Sequence, residues 1–259
     1  MNIRTTRAIV AKTMKLSNSS KLVSLITERY GLVKAVAKGA RRPRSVFGAA
    51  LEPVTLINCI VYYRENRELQ NLSSAEIIDP FEELKSDLET RAIASAEIEI
   101  ALSQPALEDP GANTFNLTVE GLNELRAVGP AHAEKALWRF ALRLLAAAGY
   151  RPVLDACVKC GAKPRGGSAF LSFDDGGVVC ACSETEHRFG IRVSPGALMA
   201  MKRLTDGGAS AMTRLKIAPA QAREIERVVL QFLAYQTGSS RTPHALAFRR
   251  KLDAALKAN

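Results

Sequence analysis

The sequence contains no apolar run long enough to cross a membrane. The stretch at residues 57–63 is far too short, and Arg139 and Arg143 interrupt the Ala- and Leu-rich region before Gly149. The N-terminus is polar and basic, without the apolar core and small-residue cleavage site of a secretory signal. We therefore expect no membrane partner and a cytoplasmic location.

Histidine and the motifs of catalytic sites are also scarce. The three histidines, His132, His187 and His244, are widely scattered. The sequence has no Gly-x-x-x-x-Gly-Lys loop for phosphates, no His-Glu-x-x-His motif and no cluster of metal-binding carboxylates. Asp174 and Asp175 are more typical of a turn than of a metal pair. These absences argue against a nuclease or a zinc-dependent modification enzyme, and we expect a protein that is not an enzyme.

Acidic residues are almost absent from the first 49 residues. This segment holds 11 Lys and Arg residues against a single acid, Glu28. Its net charge of +10 therefore equals the formal net charge of the whole chain. The remaining 210 residues hold 25 basic and 25 acidic side chains. A neutral body with one strongly basic end predicts a polyanionic partner, and a merely solvated surface is the alternative.

The basic end is centred on a strand and the loop that follows it, at residues 31–45. Because side chains on a strand alternate between its faces, Lys34 and Lys38 share one face. Gly39 ends the strand, and Pro43 keeps the loop extended. The candidate phosphate-binding residues of this region are Lys34, Lys38, Arg41, Arg42, Arg44 and Ser45. Three further cations extend the track, namely Lys12, Lys15 and Lys21.

Aromatic side chains are few in the basic half of the chain. Proteins that bind single strands usually stack the bases on aromatic rings. The candidates here are Tyr30, Phe47, Tyr62 and Tyr63, and alternation places the last two on opposite faces of one strand. We therefore expect contacts to backbone phosphates to dominate over stacking.

Short apolar runs separated by polar or glycine-bearing breaks predict about five strands over residues 5–78. Five strands in such a short segment favour a small closed barrel of the OB type, although periodicity alone also permits an SH3-like barrel. Cys59 lies within one of these strands and is predicted to belong to the core.

The pattern becomes helical after Pro80. Apolar stripes with helical spacing lie at residues 137–148 and 225–233, and both are expected to be core. We predict an α+β multidomain protein. Its parts are a five-stranded OB-type barrel at residues 1–80 and an α-helical domain at residues 81–259, which carries a β-like insert at about residues 155–195.

Four of the five cysteines lie close together in the insert. Cys157 and Cys160 form one local pair, and Cys180 and Cys182 form a second pair after nineteen residues. Four thiolates suit a structural, tetrahedral Zn²⁺ in a reducing compartment and leave no position for a catalytic water. The second pair has one intervening residue instead of the usual two, so His187 is an alternative ligand. Four reduced cysteines without metal remain the other interpretation.

Together these motifs resemble the bacterial RecO family of recombination and repair proteins, and the resemblance covers most of the chain in the right order. It is carried by Tyr30-Gly31, by residues 37–45 and 72–76, and later by residues 140–145, 149–152, 157–161 and 176–180. The Ala-Lys-Gly-Ala-Arg signature is fairly specific, and the cysteine knuckle is a second match. Cys182 lies one residue earlier than in the family's usual spacing. This departure affects the expected geometry of the metal site and not the resemblance to the family.

The resemblance implies an N-terminal OB fold joined to a helical domain with an inserted four-cysteine zinc ribbon. It also implies a recombination mediator of the RecF-pathway type, associated with the bacterial nucleoid. Such a protein binds single- and double-stranded DNA, anneals complementary strands and, with a RecR partner, helps load RecA onto DNA coated with single-strand-binding protein. The acidic, apolar C-terminal tail of single-strand-binding protein is a further implied partner.

Two alternatives remain open from the residues alone. A zinc-ribbon protein that binds RNA or associates with the ribosome would have a similar basic domain. A protein-interaction scaffold is compatible with the DNA-binding interpretation, because the helical half is neutral. Arginines near the helical stripes are candidates for receiving the acidic tail, namely Arg126, Arg139, Arg143 and Arg203.

Overall fold

The computed structural model describes residues 2–65, 67–104, 113–164, 169–180, 189–238 and 242–258, with side chains as far as residue 251. The chain forms two compact units, Met1–Arg126 and Ala127–Asn259. The first unit contains a β-barrel and three helices. The second contains further helices and a small sheet.

The barrel of the first unit has five strands. They are β1 (Asn2–Lys15), β2 (Lys21–Thr27), β3 (Gly31–Ala37), β4 (Thr55–Tyr63) and β5 (Leu69–Asp79). The barrel is closed in the order β1-β2-β3-β5-β4, and only the β3–β5 pair is parallel. The five predicted strands and their closure are therefore confirmed.

Strand β1 is twice the length of β2 and serves two neighbours. It pairs with β4 from Asn2 to Val10 and with β2 from Ala8 to Lys15, so only Ala8–Val10 have both neighbours. An irregularity in the register between Val10 and Lys12 marks the change, as expected where a strand bends to close a barrel. The change of partner leaves Lys12 and Lys15 on the half of β1 that lies beside β2.

Alternation along β3 separates the core from the outer surface. Val33, Ala35 and Ala37 are buried in the barrel core, whereas Lys34 is partly exposed. The interior also contains Cys59, as predicted. Phe47 lies in the same core, so this member of the four aromatic candidates is not available to stack on bases.

The barrel is followed by helices α1 (Glu82–Ser86), α2 (Leu88–Leu102) and α3 (Thr114–Val128). The carboxylate of Asp87 accepts a hydrogen bond from the backbone N–H of Thr90 and so caps the start of α2. The predicted change to helix after Pro80 is confirmed.

Helix α2 contains a fully buried carboxyl group, that of Glu97. Neither of its oxygens has a hydrogen-bond partner within the part of the chain that the structure describes. Burial raises the pKa of Glu97 well above its usual range, and the nearby charge of Glu124 raises it further. The side chain therefore stays protonated in the folded state at pH values where it ionises in the unfolded chain.

This raised pKa makes stability depend on pH in a defined direction. As pH rises above the unfolded pKa of about 4.3, the unfolded chain releases a proton that the folded chain retains, so Glu97 progressively destabilises the fold. We expect Glu97→Gln to have little effect on thermal unfolding near pH 4 and to raise the melting temperature by several degrees at pH 8. The gain is the free energy of the proton linkage, because glutamine has no proton to retain, and it amounts to about 1.4 kcal/mol for each pH unit by which the folded pKa exceeds the unfolded one.

The matched control for this prediction is Glu76→Gln, which changes an exposed carboxylate of the same unit. Its effect on the melting temperature should be small at both pH values. If Glu97→Gln raised the melting temperature equally at pH 4 and pH 8, or lowered it at pH 8, the raised pKa of Glu97 would be contradicted.

The second unit contains α4 (Ala133–Ala147), β6 (Ala169–Ser172), β7 (Gly177–Val179), β8 (Gly190–Val193), α5 (Pro195–Asp206), α6 (Ala209–Arg214), α7 (Pro219–Thr237) and α8 (His244–Ala258), with a 3-10 turn at Pro130–His132. The three strands form one antiparallel sheet in the order β7-β6-β8. The predicted apolar stripes of α4 and α7 are buried.

The end of α4 shows how a single glycine sets a local boundary. Gly149 has a φ of +87°, a conformation that favours glycine. Its N–H donates to the carbonyl of Ala146 at 3.2 Å, and the N–H of Tyr150 donates to Leu145 at 2.8 Å. This pair of hydrogen bonds is a Schellman motif, and the predicted C-terminal cap is confirmed.

Among the described residues, no helix combines the length and the apolar character needed to cross a membrane.

Candidate nucleic-acid interface and metal centre

The strand register brings two of the predicted cations into one row on the barrel. Lys12 of β1 lies opposite Ser24 of β2, and Ser24 lies opposite Lys34 of β3. Residues that are directly opposite in a ladder project from the same face of the sheet. Since neighbouring strands lie about 4.8 Å apart, Lys12 and Lys34 arise about 10 Å from each other on that face.

A second group of cations gathers where β1 and β2 end. Lys15 and Lys21 are directly opposite in the register. The guanidinium of Arg41 donates to the backbone carbonyls of Ser17 and Asn18, at 2.8 and 3.2 Å. The backbone N–H of Arg41 also donates to Ser19 O at 3.1 Å. These bonds join the loop after β3 to the β1–β2 loop, and so place Arg41 beside the two lysines.

The remaining loop residues follow in two successive turns. The N–H of Arg42 donates to Gly39 O at 3.0 Å, and the N–H of Ser45 donates to Arg42 O at 3.1 Å. Lys38, Arg42 and Arg44 have exposed side chains. The Ser45 hydroxyl accepts a hydrogen bond from the backbone N–H of residue 47 at 3.3 Å, so this group already has a role in the loop.

Two cations of the basic segment are neutralised by nearby acids. Lys34 Nζ lies 2.8 Å from a carboxylate oxygen of Glu68, and Arg7 binds both carboxylate oxygens of Glu28. The hydrogen bonds from Arg7 lower the pKa of Glu28. Exposed ion pairs of this kind contribute little to stability, and Lys34 remains able to exchange Glu68 for another anion.

Of the cations on β1, at the start of β2 and in the loop after β3, six have no ion pair, no side-chain hydrogen bond and no ring contact with any described residue. They are Lys12, Lys15, Lys21, Lys38, Arg42 and Arg44. All six lie on β1, at the start of β2 or in the loop after β3. Their charge is therefore uncompensated within the described first unit, which is the electrostatic character of a surface that binds a polyanion.

The structure also shows a cation–aromatic cluster that the sequence did not predict. The guanidinium carbon of Arg4 lies 3.6 Å from the ring centroid of Tyr63 and 4.5 Å from that of Tyr30. The two rings are stacked with centroids 6.3 Å apart. Pairing of β1 with β4 places Arg4 near Tyr63, and no local sequence pattern reports this contact between distant segments.

Three cysteines of the insert converge. The sulfur atoms of Cys157, Cys160 and Cys180 all lie within 4.8 Å of one another, and those of Cys160 and Cys180 are 3.5 Å apart. Gly161 has a φ of +71°, and its N–H donates to Cys157 O at 2.8 Å, which closes the tight turn of the knuckle. Cys182 and the alternative ligand His187 lie outside the described residues.

The three described sulfurs have the chemistry of metal ligands. Burial of Cys157 opposes its ionisation, but hydrogen bonds from the backbone at Cys160, Cys180 and Lys159 outweigh this effect and lower the pKa of Cys157 to about 6. A thiolate is the form that binds zinc. By contrast, burial raises the pKa of Cys59 to about 12, which suits a neutral thiol that packs in the core and donates to Thr6 O at 3.4 Å.

Backbone hydrogen bonds hold the knuckle against β7. The N–H of Val158 donates to Val178 O at 2.9 Å, and the N–H of Val178 donates to Val153 O at 2.8 Å. Gly177 permits this approach, because a Cβ there would lie 2.8–2.9 Å from atoms of Val153 and 2.5 Å from the Val158 side chain. The end of β7 thereby brings Cys180 to Cys157.

The arginines suggested as receptors for an acidic tail have different environments. Arg126 is paired with Asp79 at 2.8 Å. Arg139 is only 7% exposed, and it donates to Leu204 O at 2.6 Å near the end of α5. Arg203, in contrast, lines a groove of about 630 Å³ in the second unit.

The fold and these sites together define a class of protein. It combines a closed five-stranded barrel with an uncompensated positive surface and a helical unit with a cysteine cluster suited to a metal.

Comparison with known proteins specifies the family. The model of the N-terminal region of recombination protein O matches residues 1–81, and that of the C-terminal region matches residues 85–244. The DNA repair protein RecO of Anaeromyxobacter sp. (strain K) is 36% identical over 246 residues, covering 95% of this chain and 94% of the relative. That of Salinibacter ruber is 32% identical over 233 residues, covering 89% and 87%. The chain belongs to the RecO family.

Proposed function

We propose that this protein acts in DNA repair and homologous recombination by binding single- and double-stranded DNA through the basic surface of the barrel. The observation that supports the proposal is the group of six cations on β1, β2 and the loop after β3 that have no ion pair, side-chain hydrogen bond or ring contact among the described residues. We further propose that the barrel is of the OB type and forms a DNA-binding domain at residues 1–80, with residues 81–259 as the helical domain.

The physical basis of the proposed binding is counterion release. Lysine and arginine side chains that neutralise phosphates release condensed cations from DNA, which gives an affinity that depends steeply on salt and little on sequence. Contacts to about five phosphates correspond to a log–log salt slope between about −3.5 and −4.5. Neutralised backbones also repel each other less, so the same surface favours annealing of two complementary strands.

The proposed role is that of a mediator and not of a bond-breaking enzyme. Family membership supports a function with RecR in loading RecA onto DNA that is covered by single-strand-binding protein. We propose a structural Zn²⁺ at Cys157, Cys160 and Cys180, with Cys182 as the fourth ligand. This ion stabilises the small sheet of the insert as a zinc ribbon and supplies no catalytic chemistry. The proposed location is the bacterial cytoplasm, in association with the nucleoid.

We assign the acidic tail of single-strand-binding protein to the groove beside α5 and α6. Exposed Met199 and half-buried Leu215 supply apolar lining, and Arg203 and Arg214 supply positive charge. Lys202 also lines the groove, but it is paired with Asp155 and Asp206. The groove therefore combines an apolar surface with two arginines that have no ion pair among the described residues, which complements a tail that is both acidic and apolar.

Arg203→Glu is expected to weaken binding of a peptide with the tail's composition by about tenfold or more, because it replaces attraction by repulsion beside the groove. The measurement is fluorescence anisotropy of a labelled acidic, apolar peptide. Arg223→Glu is the matched control, since it reverses an exposed arginine on α7 that does not line the groove. Equal losses in the two variants would show that only net charge matters and would remove the groove from the proposal.

The proposed function is tested by comparing single-stranded DNA, duplex DNA and RNA as ligands, followed by an annealing assay with complementary oligonucleotides. We expect binding to both forms of DNA and accelerated annealing. Preferred binding of RNA without annealing of DNA would favour an RNA-binding or ribosome-associated role instead.

A further inference from the structure

A small cleft lies at the end of the barrel, within the basic surface. It has a volume of about 300 Å³. One wall is the end of β1, at Thr13 and Met14, and the opposite wall is the segment at residues 51–53. The Thr13 hydroxyl donates to the backbone carbonyl of Leu51 at 2.6 Å, which holds the two walls in a fixed relation.

Three cations border this cleft, and their arrangement is unfavourable without an anion. Lys15 and Lys21 also line the cleft and face each other directly across the β1–β2 ladder. Like charges in this position destabilise a sheet. Arg41 adds a third positive charge and is held in place by its bonds to the β1–β2 loop. An anion at this border would relieve the repulsion.

The other lining residues differ in character from these three cations. They include Met14, which is 49% exposed, together with Leu51 and Pro53. Among the described lining residues the only acid is Glu52, whose side chain is 58% exposed and has one carboxylate oxygen 3.9 Å from Lys85 Nζ. A carboxylate repels phosphate and acidic side chains, but it accepts hydrogen bonds from N–H groups. This part of the lining therefore suits a flat, largely apolar group that carries N–H donors.

We propose that the cleft binds a single nucleobase of a single-stranded nucleic acid, while Lys15, Lys21 and Arg41 contact the phosphates on either side. The base rests on Met14 and Pro53. This inference rests on the proposed nucleic-acid binding, and it specifies a single strand as the preferred ligand.

The size and position of the cleft support a base as its occupant. Its volume lies at the lower end of the range for small-molecule sites, about 300–1,000 Å³, which fits one base more readily than a base pair. A base in a duplex is paired and stacked, and it enters such a site only after extrusion from the helix, whereas a single strand presents its bases freely. The cleft therefore favours single strands, and the phosphate contacts alone remain available to a duplex.

The test uses three ligands of equal length and charge per strand: a thymidine oligomer of about eight nucleotides, the fully abasic oligomer, and a duplex. Wild-type protein should bind the thymidine oligomer about three- to tenfold more tightly than the abasic oligomer. Met14→Ala should reduce most of this difference and leave the affinities for the abasic oligomer and the duplex unchanged. Leu16→Ala is the control, because Leu16 is 47% exposed on the neighbouring loop and does not line the cleft.

The possible outcomes separate the cleft from the underlying function. Equal affinity of wild-type protein for the thymidine and abasic oligomers would overturn the base site while leaving DNA binding intact. An equal loss for all three ligands in Met14→Ala would also overturn it. Failure of wild-type protein to bind any of the three would instead refute the proposed function. Thermal unfolding of both variants checks that their folds match the wild type.

Discussion

Replacement of Lys15, Lys21, Arg42 and Arg44 together by alanine should weaken binding to single-stranded DNA by about a hundredfold or more at about 0.1 M salt. The reason is that each lost phosphate contact also loses the release of counterions. If all four side chains contact phosphates, the log–log salt slope should become less negative by about 2.8. The loss should be similar for oligonucleotides of different sequence, because phosphates carry no base information.

These four positions are chosen because none of them has an ion pair among the described residues. Arg41 is left intact, since its bonds to Ser17 and Asn18 hold two loops together and its removal would alter the loop structure as well as the charge.

The control for this variant removes the same charge from the second unit. It replaces four exposed cations by alanine, namely Lys216, Arg223, Arg227 and Lys251. The control should retain most of the affinity and the wild-type salt slope. Equal losses in the two variants would indicate a response to net charge alone and would contradict a localised interface on the barrel.

Replacement of Cys157 by serine should abolish stoichiometric zinc binding and unfold the small sheet of the second unit. Cys157 is the most buried of the three clustered cysteines, and its sulfur accepts the N–H of Cys180 at 3.3 Å. A serine hydroxyl is a far weaker ligand than a thiolate, and the free energy of binding a structural zinc is also folding free energy. Metal analysis and thermal unfolding of the same samples measure the two effects.

Cys59→Ala is the matched control, because Cys59 is buried in the barrel and does not belong to the cluster. It should retain one zinc per chain even if the barrel loses stability. Separate Cys182→Ser and His187→Ala variants then identify the fourth ligand, and we expect only the former to lose zinc. Wild-type protein that binds no zinc after reconstitution under reducing conditions would contradict the metal site.

Features that depend on local periodicity could be predicted from the sequence. The alternation of Lys34 with Val33 and Ala35 identifies the inner and outer faces of β3 because a strand has a period of two. The buried stripe of α4 and its glycine cap follow from helical spacing in the same way. The convergence of Cys157, Cys160 and Cys180 could also be predicted. Two cysteines that are close in sequence indicate half of a metal site, and a second such pair indicates the other half even when it lies far along the chain.

Features that depend on contacts between distant segments could not be predicted. Phe47 follows a basic loop in the sequence, yet the chain returns it to the barrel core. The pairing of Lys34 with Glu68 requires β3 and β5 to be neighbours, and nothing in either segment alone indicates it. Likewise, the structural role of Arg41 depends on carbonyls more than twenty residues away. The sequence therefore identified the basic segment but did not distinguish its neutralised cations from its uncompensated ones.

Lysine footprinting in the presence of DNA tests the location of the interface most directly. Protein alone and protein saturated with a single-stranded oligonucleotide are acetylated under limiting conditions, and each lysine is quantified by mass spectrometry. We expect strong protection of Lys12, Lys15, Lys21 and Lys38, with little change at Lys216 and Lys251. Equal reactivity of the four barrel lysines with and without bound DNA would contradict the claim that this surface binds the nucleic-acid backbone.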